Sequence, residues 1–142
     1  MEITALNKVL ADSYALYLKT QNYHWNVTGP QFYVLHQMFE AQYEDLASAV
    51  DTLAERIRAL GFNAPGSFSA FQSLTAIQEP ADNLSAESML KDLIADHAYM
   101  ITALKKAIAH FESAQDPVTA DLLVSRCEVH EQTHWMFTSS MA

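Results

Sequence analysis

Residues that break regular structure are scarce. The 142-residue chain has three glycines and four prolines, while half of it is hydrophobic. Few breakers with abundant Ala, Leu and Met is the composition of a helical protein. Cysteine is almost missing too. Cys127 alone cannot close an internal disulfide and is read as structural, and no basic-then-apolar leader precedes Ala5, so secretion is not expected and the cytoplasm is. No apolar run approaches the ~20 residues that cross a bilayer, so no membrane is expected as a partner. Basic residues are outnumbered, with 8 Lys and Arg against 17 Asp and Glu and a formal net charge of -9. Such a balance repels nucleic acid phosphates and makes cations the natural partners, but it serves solubility equally well, and charge alone leaves both readings open.

The length fits one domain over residues 1–142 with a single substantial core. Apolar residues recur at three- and four-residue steps in four long segments. The first runs from about Ile3 to about Tyr23 through Leu6, Val9, Leu10, Tyr14, Tyr17 and Leu18, and ends near Asn26, ahead of Gly29 and Pro30. The second runs from about Gln31 to Leu60 through Phe32, Leu35, Phe39, Leu46, Val50, Leu53 and Ile57, with Gly61 as its stop. Residues 62–84 hold Asn63, Pro65, Gly66 and Pro80, with a short helix expected over Phe68 to Leu74. A third long helix starts after Ser85 as N-cap, and Asp116-Pro117 starts a fourth that reaches about Ser139. Short links after the first and third helices and a long one after the second predict an all-α, ferritin-like four-helix bundle whose long crossover contains a short helix.

The second helix also carries chemistry. At about 100° per residue, His36, Glu40, Glu44, Ala47, Asp51 and Glu55 share a stripe beside the apolar one. A charged stripe opposite a core is ordinarily just solvated. This one, however, has no Lys, so its carboxylates repel one another through i,i+4 contacts that a cation would relieve. His24 and His36 bracket the turn between the first two helices, and imidazole with carboxylate suits Fe(II), Zn(II) or Mn(II) better than Ca(II). His36 and Asp51 are fifteen residues apart, ~22 Å along a straight helix, so one chain cannot bring both to one ion. Two copies of the helix packed antiparallel about a two-fold axis near residues 43–45 would bring His36 of one level with Asp51 and Glu55 of the other, making two equivalent sites.

His24-Trp25-Asn26-Val27, Phe32, His36, Phe39-Glu40, Asp51 and Ala54-Glu55-Arg56 before Gly61 resemble the signature of the Dps family of mini-ferritins. The likeness extends over most of the chain, including Trp135-Met136-Phe137. It implies a ferroxidase centre at a two-fold interface, with His24 and His36 from one subunit and Asp51 and Glu55 from the next as iron ligands and catalytic residues, and Glu40 as a supporting ligand. It further implies a homo-dodecamer of tetrahedral symmetry that oxidises Fe(II), with peroxide as oxidant, and stores Fe(III) mineral in a hollow shell against oxidative damage. Acidic three-fold pores would admit iron. Asp121 and Glu131 are the pore candidates, with Asp116 and Glu128 beside them, and a solvated surface is the competing reading for all four. Zinc is expected as a competing ion.

Other residues receive plainer readings. Bundle-centred ferritins need two Glu-x-x-His pairs, and the single pair here, Glu131 and His134, reads as surface or interface polarity. His97, His110 and His130 read as hydrogen-bonded core or interface groups. The six methionines read as core fillers, and Trp25 either lines the iron centre or simply packs. Family members that bind DNA carry basic tails, whereas here only Met1 to Asn7 precede Lys8 and the end at Ala142 is bare, so nucleic acid is not an expected partner. Two alternatives stand beside the iron reading: a DNA-binding nucleoid protein, and a structural helical shell with a degenerate metal site.

Overall fold

A computed structural model describes the backbone of residues 2–142 and the side chains of residues 3–142. Its helices are α1 (Glu2–Asn26), α2 (Phe32–Ala59), α3 (Phe68–Leu74), α4 (Ala86–Ser113) and α5 (Pro117–Ser140), with no strand among the described residues. The fold is the expected all-α four-helix bundle with a crossover helix. α1 pairs with α2 and α4 with α5, while the crossover returns the chain along α1.

Local chemistry sets the ends. Gly61, at φ +94°, donates its N–H to Arg58, and the next residue, Phe62, donates to Ile57. This is a Schellman end to α2, in which a residue without Cβ takes the left-handed conformation at no steric cost. α4 ends in the same bonding pattern, Gln115 to Glu112 and Asp116 to Phe111, with Gln115 held at φ +60°. The hydroxyl of Ser85 accepts from the Ser88 N–H, and the carboxylate of Asp116 from the Thr119 N–H, as N-caps of α4 and α5.

Two apolar clusters fill the bundle. One gathers Leu16, Tyr23, Leu35, Phe39, Leu46, Leu93, Met100 and Phe137, and the other Leu6, Leu10, Leu53, Ile57, Leu104, Phe111, Leu123 and Cys127. Two expected stripe members depart from the core: Leu18 is 46% exposed on a groove and Phe32 is 41% exposed where it stacks on His36. Met89 and Met100 are buried as expected, whereas Met1 lies outside the described residues.

Buried polar groups are held in three networks. Asp12 accepts from the Thr75 hydroxyl at 2.7 Å, the Ala76 N–H at 2.8 Å and the Tyr99 hydroxyl at 2.7 Å, tying the crossover to α1 and α4. Lys19, 3% exposed, reaches Asp92 at 2.9 Å and Asp96 at 2.8 Å, so its buried charge is paired. Between Cys127 and Phe137 on α5, His130 and Thr133 face α4 and α2. Thr133 donates to Gln42 at 2.9 Å, and the Nδ1 atoms of His97 and His130 are 2.9 Å apart.

That histidine contact has one consistent protonation pattern. Arg126, paired with Asp45 at 3.0 Å, can only donate to His130 Nε2, 3.4 Å away. His130 therefore carries its proton on Nδ1 and donates to His97 Nδ1, which leaves the buried Nε2–H of His97 without a partner. Burial is the main cause that pushes His97 down to about 3 and His130 well below the usual histidine range. His97 and His130 are thus hydrogen-bonded core groups as expected. His110 is not a core group; it is exposed at the surface of this chain, edge-on to Phe111.

Candidate metal centre

The turn 27–31 reverses the chain between α1 and α2 and brings the last turn of α1 against the first turns of α2. Gly29, at φ +113°, permits the reversal and accepts the Phe32 N–H that starts α2. His24 ends up 6% exposed, facing a half-buried His36.

The two histidines lock each other. His24 Nδ1 bonds the carbonyl oxygen of His36 at 2.7 Å, and His36 Nδ1 bonds that of His24 at 2.7 Å. A carbonyl only accepts, so both Nδ1 atoms are protonated, and in the neutral imidazole this places the lone pair on Nε2, which is the tautomer a metal ligand requires. The rings stack at 3.8 Å and 14°. Phe32 covers the far face of His36 at 4.9 Å, and Tyr43 meets the edge of His24 at 5.1 Å. One turn along α2, Glu40 places a carboxylate oxygen 3.7 Å from His24 Nε2. The donor atoms of His24, His36 and Glu40 all lie within 4.8 Å of one another, the one such group of three among the described residues. Two imidazole nitrogens and one carboxylate in a partly buried corner fit a borderline divalent ion and leave coordination positions open.

Asp51 and Glu55 are not part of this group. Both are exposed further along α2, Asp51 eleven residues or ~16 Å beyond Glu40. Neither forms a salt bridge among the described residues, and Arg56, the cation beside Glu55, is turned away to the Thr119 hydroxyl at 2.9 Å and Asp116 at 3.4 Å. The stripe thus keeps its carboxylates without an internal counter-charge.

The α5 acidic residues divide. Asp121 and Glu128 are exposed, and Glu131 pairs with Lys105 across the surface at 3.5 Å. Asp116 is engaged within its own chain: hydrogen bonds from the Thr119 hydroxyl and N–H, with Arg56 beyond, hold its carboxyl below the usual range, and it caps α5. Trp25 is not packed into the core of this chain. It is 60% exposed and faces a groove beside Leu18 and Lys19, because successive helical positions point about 100° apart. The aromatic residue against His24 is Tyr43, which the sequence reading missed; its i+3 spacing from Glu40 was the available signal.

Comparison with known proteins adds ancestry to this geometry. The family described as "Ferritin-like domain" matches residues 3–141. The chain is 42% identical to a low temperature-induced protein of Nostoc sp. strain PCC 7120 over 96% of this chain and 78% of that protein. It is 37% identical to DNA protection during starvation protein 2 of Bacillus anthracis, over 94% of this chain and 92% of the relative. The crystal structure of Dps from Staphylococcus aureus superposes with a TM-score of 0.97 at 33% identity, covering 99% of this chain and 95% of that one.

Proposed function

The chain belongs to the ferritin-like family and within it to the Dps mini-ferritins, and from that premise we propose that it oxidises Fe(II) at centres shared between two subunits and stores Fe(III) as mineral in a hollow homo-oligomeric shell. The observation that carries this reading is the reciprocal His24–His36 lock with Glu40 beside it. It presents half of a coordination sphere, ready to bind without rearrangement.

Asp51 and Glu55 of a second copy complete the sphere in this proposal, brought there by antiparallel α2 helices about a two-fold axis. Fe(II) is the substrate. The imidazoles favour its capture, and the hard carboxylate oxygens favour the ferric product by balancing the rise in positive charge. With hydrogen peroxide as oxidant the reaction balances as two Fe(II), one peroxide and two protons giving two Fe(III) and two waters. The shell is proposed as a cytoplasmic dodecamer of single-domain subunits, with Asp121 and Glu131 at acidic pores that admit iron. The net charge of -9 on each subunit opposes binding to nucleic acid phosphates, so a gel-shift assay at neutral pH and low salt should give no protein–plasmid complex.

Anaerobic Fe(II) loading followed by peroxide tests the main reading. Purified protein should bind Fe(II) stoichiometrically and develop ferric absorbance promptly. His36→Ala and Asp51→Ala should each slow this about 100-fold or more while the shell stays assembled, since even outer partners of metal ligands are worth about 10–100-fold. Oxidation at the unaltered rate in either variant would move the centre elsewhere.

A further inference from the structure

A line of aromatic rings leaves the candidate centre along the α1/α2 seam. Tyr43 meets His24 edge-on at 5.1 Å, Tyr17 meets Tyr43 at 6.0 Å, and Tyr14 meets Tyr17 at 5.6 Å. Tyr14 then stacks on Phe71 of the crossover at 4.9 Å and borders the ~700 Å³ groove. All three tyrosines are half-buried, and they recur on one side of α1 at 14 and 17 and on the facing side of α2 at 43. Packing alone asks for apolar rings at such positions. Three successive phenols in van der Waals reach of one another, starting on a ligand histidine, also form a path for single electrons, because tunnelling falls off steeply with distance and tyrosine is among the most easily oxidised side chains.

We propose that Tyr43, Tyr17 and Tyr14 form a redox relay that lends the centre one electron when it holds a single iron, an inference that rests on the Fe(II)-oxidising function proposed above. One Fe(II) supplies one electron, whereas peroxide needs two. The first step, Fe(II) with hydrogen peroxide and a proton, gives Fe(III), water and a hydroxyl radical. Tyr43 then transfers a hydrogen atom from its phenol to that radical, forming water and a tyrosyl radical. The vacancy moves outward when the Tyr17 ring gives an electron to Tyr43. Tyr43 regains a proton from water and Tyr17 loses one to water; the exchange from Tyr14 to Tyr17 is the same. A second Fe(II) arriving at the centre closes the cycle. It gives an electron that returns along the path, and with one proton the tyrosyl radical becomes tyrosine again. The sum is two Fe(II), one peroxide and two protons giving two Fe(III) and two waters, with no radical released. Trp25 borders the groove and makes none of these ring contacts.

The test uses the assembled protein loaded anaerobically with one Fe(II) per centre, mixed with hydrogen peroxide and freeze-quenched for electron paramagnetic resonance. An organic radical should appear whose hyperfine pattern collapses when the protein is grown with ring-deuterated tyrosine. Tyr43→Phe, which keeps the ring, should lose the signal and increase spin-trapped hydroxyl radical. Tyr17→Phe should retain the signal but confine it to Tyr43, and Trp25→Phe should leave it intact. Mass spectrometry of the wild-type protein after repeated cycles should find oxidation products at Tyr43, Tyr17 and Tyr14. Ferric absorbance without any organic radical, a radical insensitive to tyrosine deuteration, or an unchanged radical in Tyr43→Phe would each overturn the relay while leaving the function standing. No ferric absorbance at all would overturn the function and the relay with it.

Discussion

His24 and His36 each bond the other's main-chain carbonyl through Nδ1, at 2.7 Å in both directions. The arrangement fixes both tautomers and both ring orientations before any ion arrives, and it does so using only the ends of two helices that a five-residue turn forces together. Half of a binding site is thereby rigid in one chain, while Asp51 and Glu55 stand exposed further along α2 with no salt bridge among the described residues.

Sharing between subunits has a distinctive consequence. Shells co-assembled from His36→Ala and Asp51→Ala chains should recover part of the oxidation rate that each variant lacks. A two-fold pair of unlike chains has one centre with both defects and one with neither. Half of the centres in such mixed pairs should therefore be intact, measured by ferric absorbance after subunit mixing is verified by mass spectrometry. Full mixing without recovery would place every ligand in a single chain.

Zinc should occupy the same constellation, since it prefers imidazole with carboxylate and stands above Fe(II) in the general affinity order. It has no accessible redox change. Stoichiometric zinc loading should therefore abolish peroxide-driven iron oxidation without dissociating the shell, as followed by absorbance and size-exclusion chromatography. Anomalous scattering at the zinc edge should place the ion between the Nε2 atoms of His24 and His36.

The buried His97–His130 pair makes stability depend on pH. Both pKa values are lowered on folding, so the unfolded chain takes up protons first as pH drops below about 6.5. Stability should be fully present above that pH. It should fall on acidification by up to about 1.4 kcal/mol per pH unit for each histidine, toward the folded value of about 3 for His97. Denaturant unfolding between pH 7 and 5 should show this slope. The paired change His97→Leu with His130→Leu should flatten it, since both titrating groups are then gone.

Gln115 sits in the left-handed region at φ +60° at the end of α4, where α2 uses Gly61. Gln115→Gly should raise stability by about 0.5–1 kcal/mol, because the relief of left-handed strain outweighs the added freedom of the unfolded chain. Gly61→Ala should do the opposite. Denaturant midpoints of the two variants, compared with the parent, measure both effects.

Much of this was legible in the sequence because it depends on near neighbours along the chain. The 3.6-residue periods around Leu35, Phe39, Leu46 and Leu53 fix α2. Ser85 and Asp116 mark helix starts, and Pro65, Gly66 and Pro80 mark the crossover, since caps and breakers act within a turn of their own position. The His24–His36 spacing and the unpaired acidic stripe were also readable, as i,i+4 geometry is local. Tertiary structure alone decided the rest. Which carboxylate reaches the histidines within one chain, Glu40, depends on how closely α1 and α2 approach. That Tyr43 and not Trp25 faces His24 depends on the rotation of each helix about its own axis. That Arg56, sixty residues earlier, reaches the Asp116 cap depends on how α2 meets the start of α5, and His97 met His130 because α4 and α5 pack in one particular register. Periodicity states which residues share a face; only packing states what that face meets.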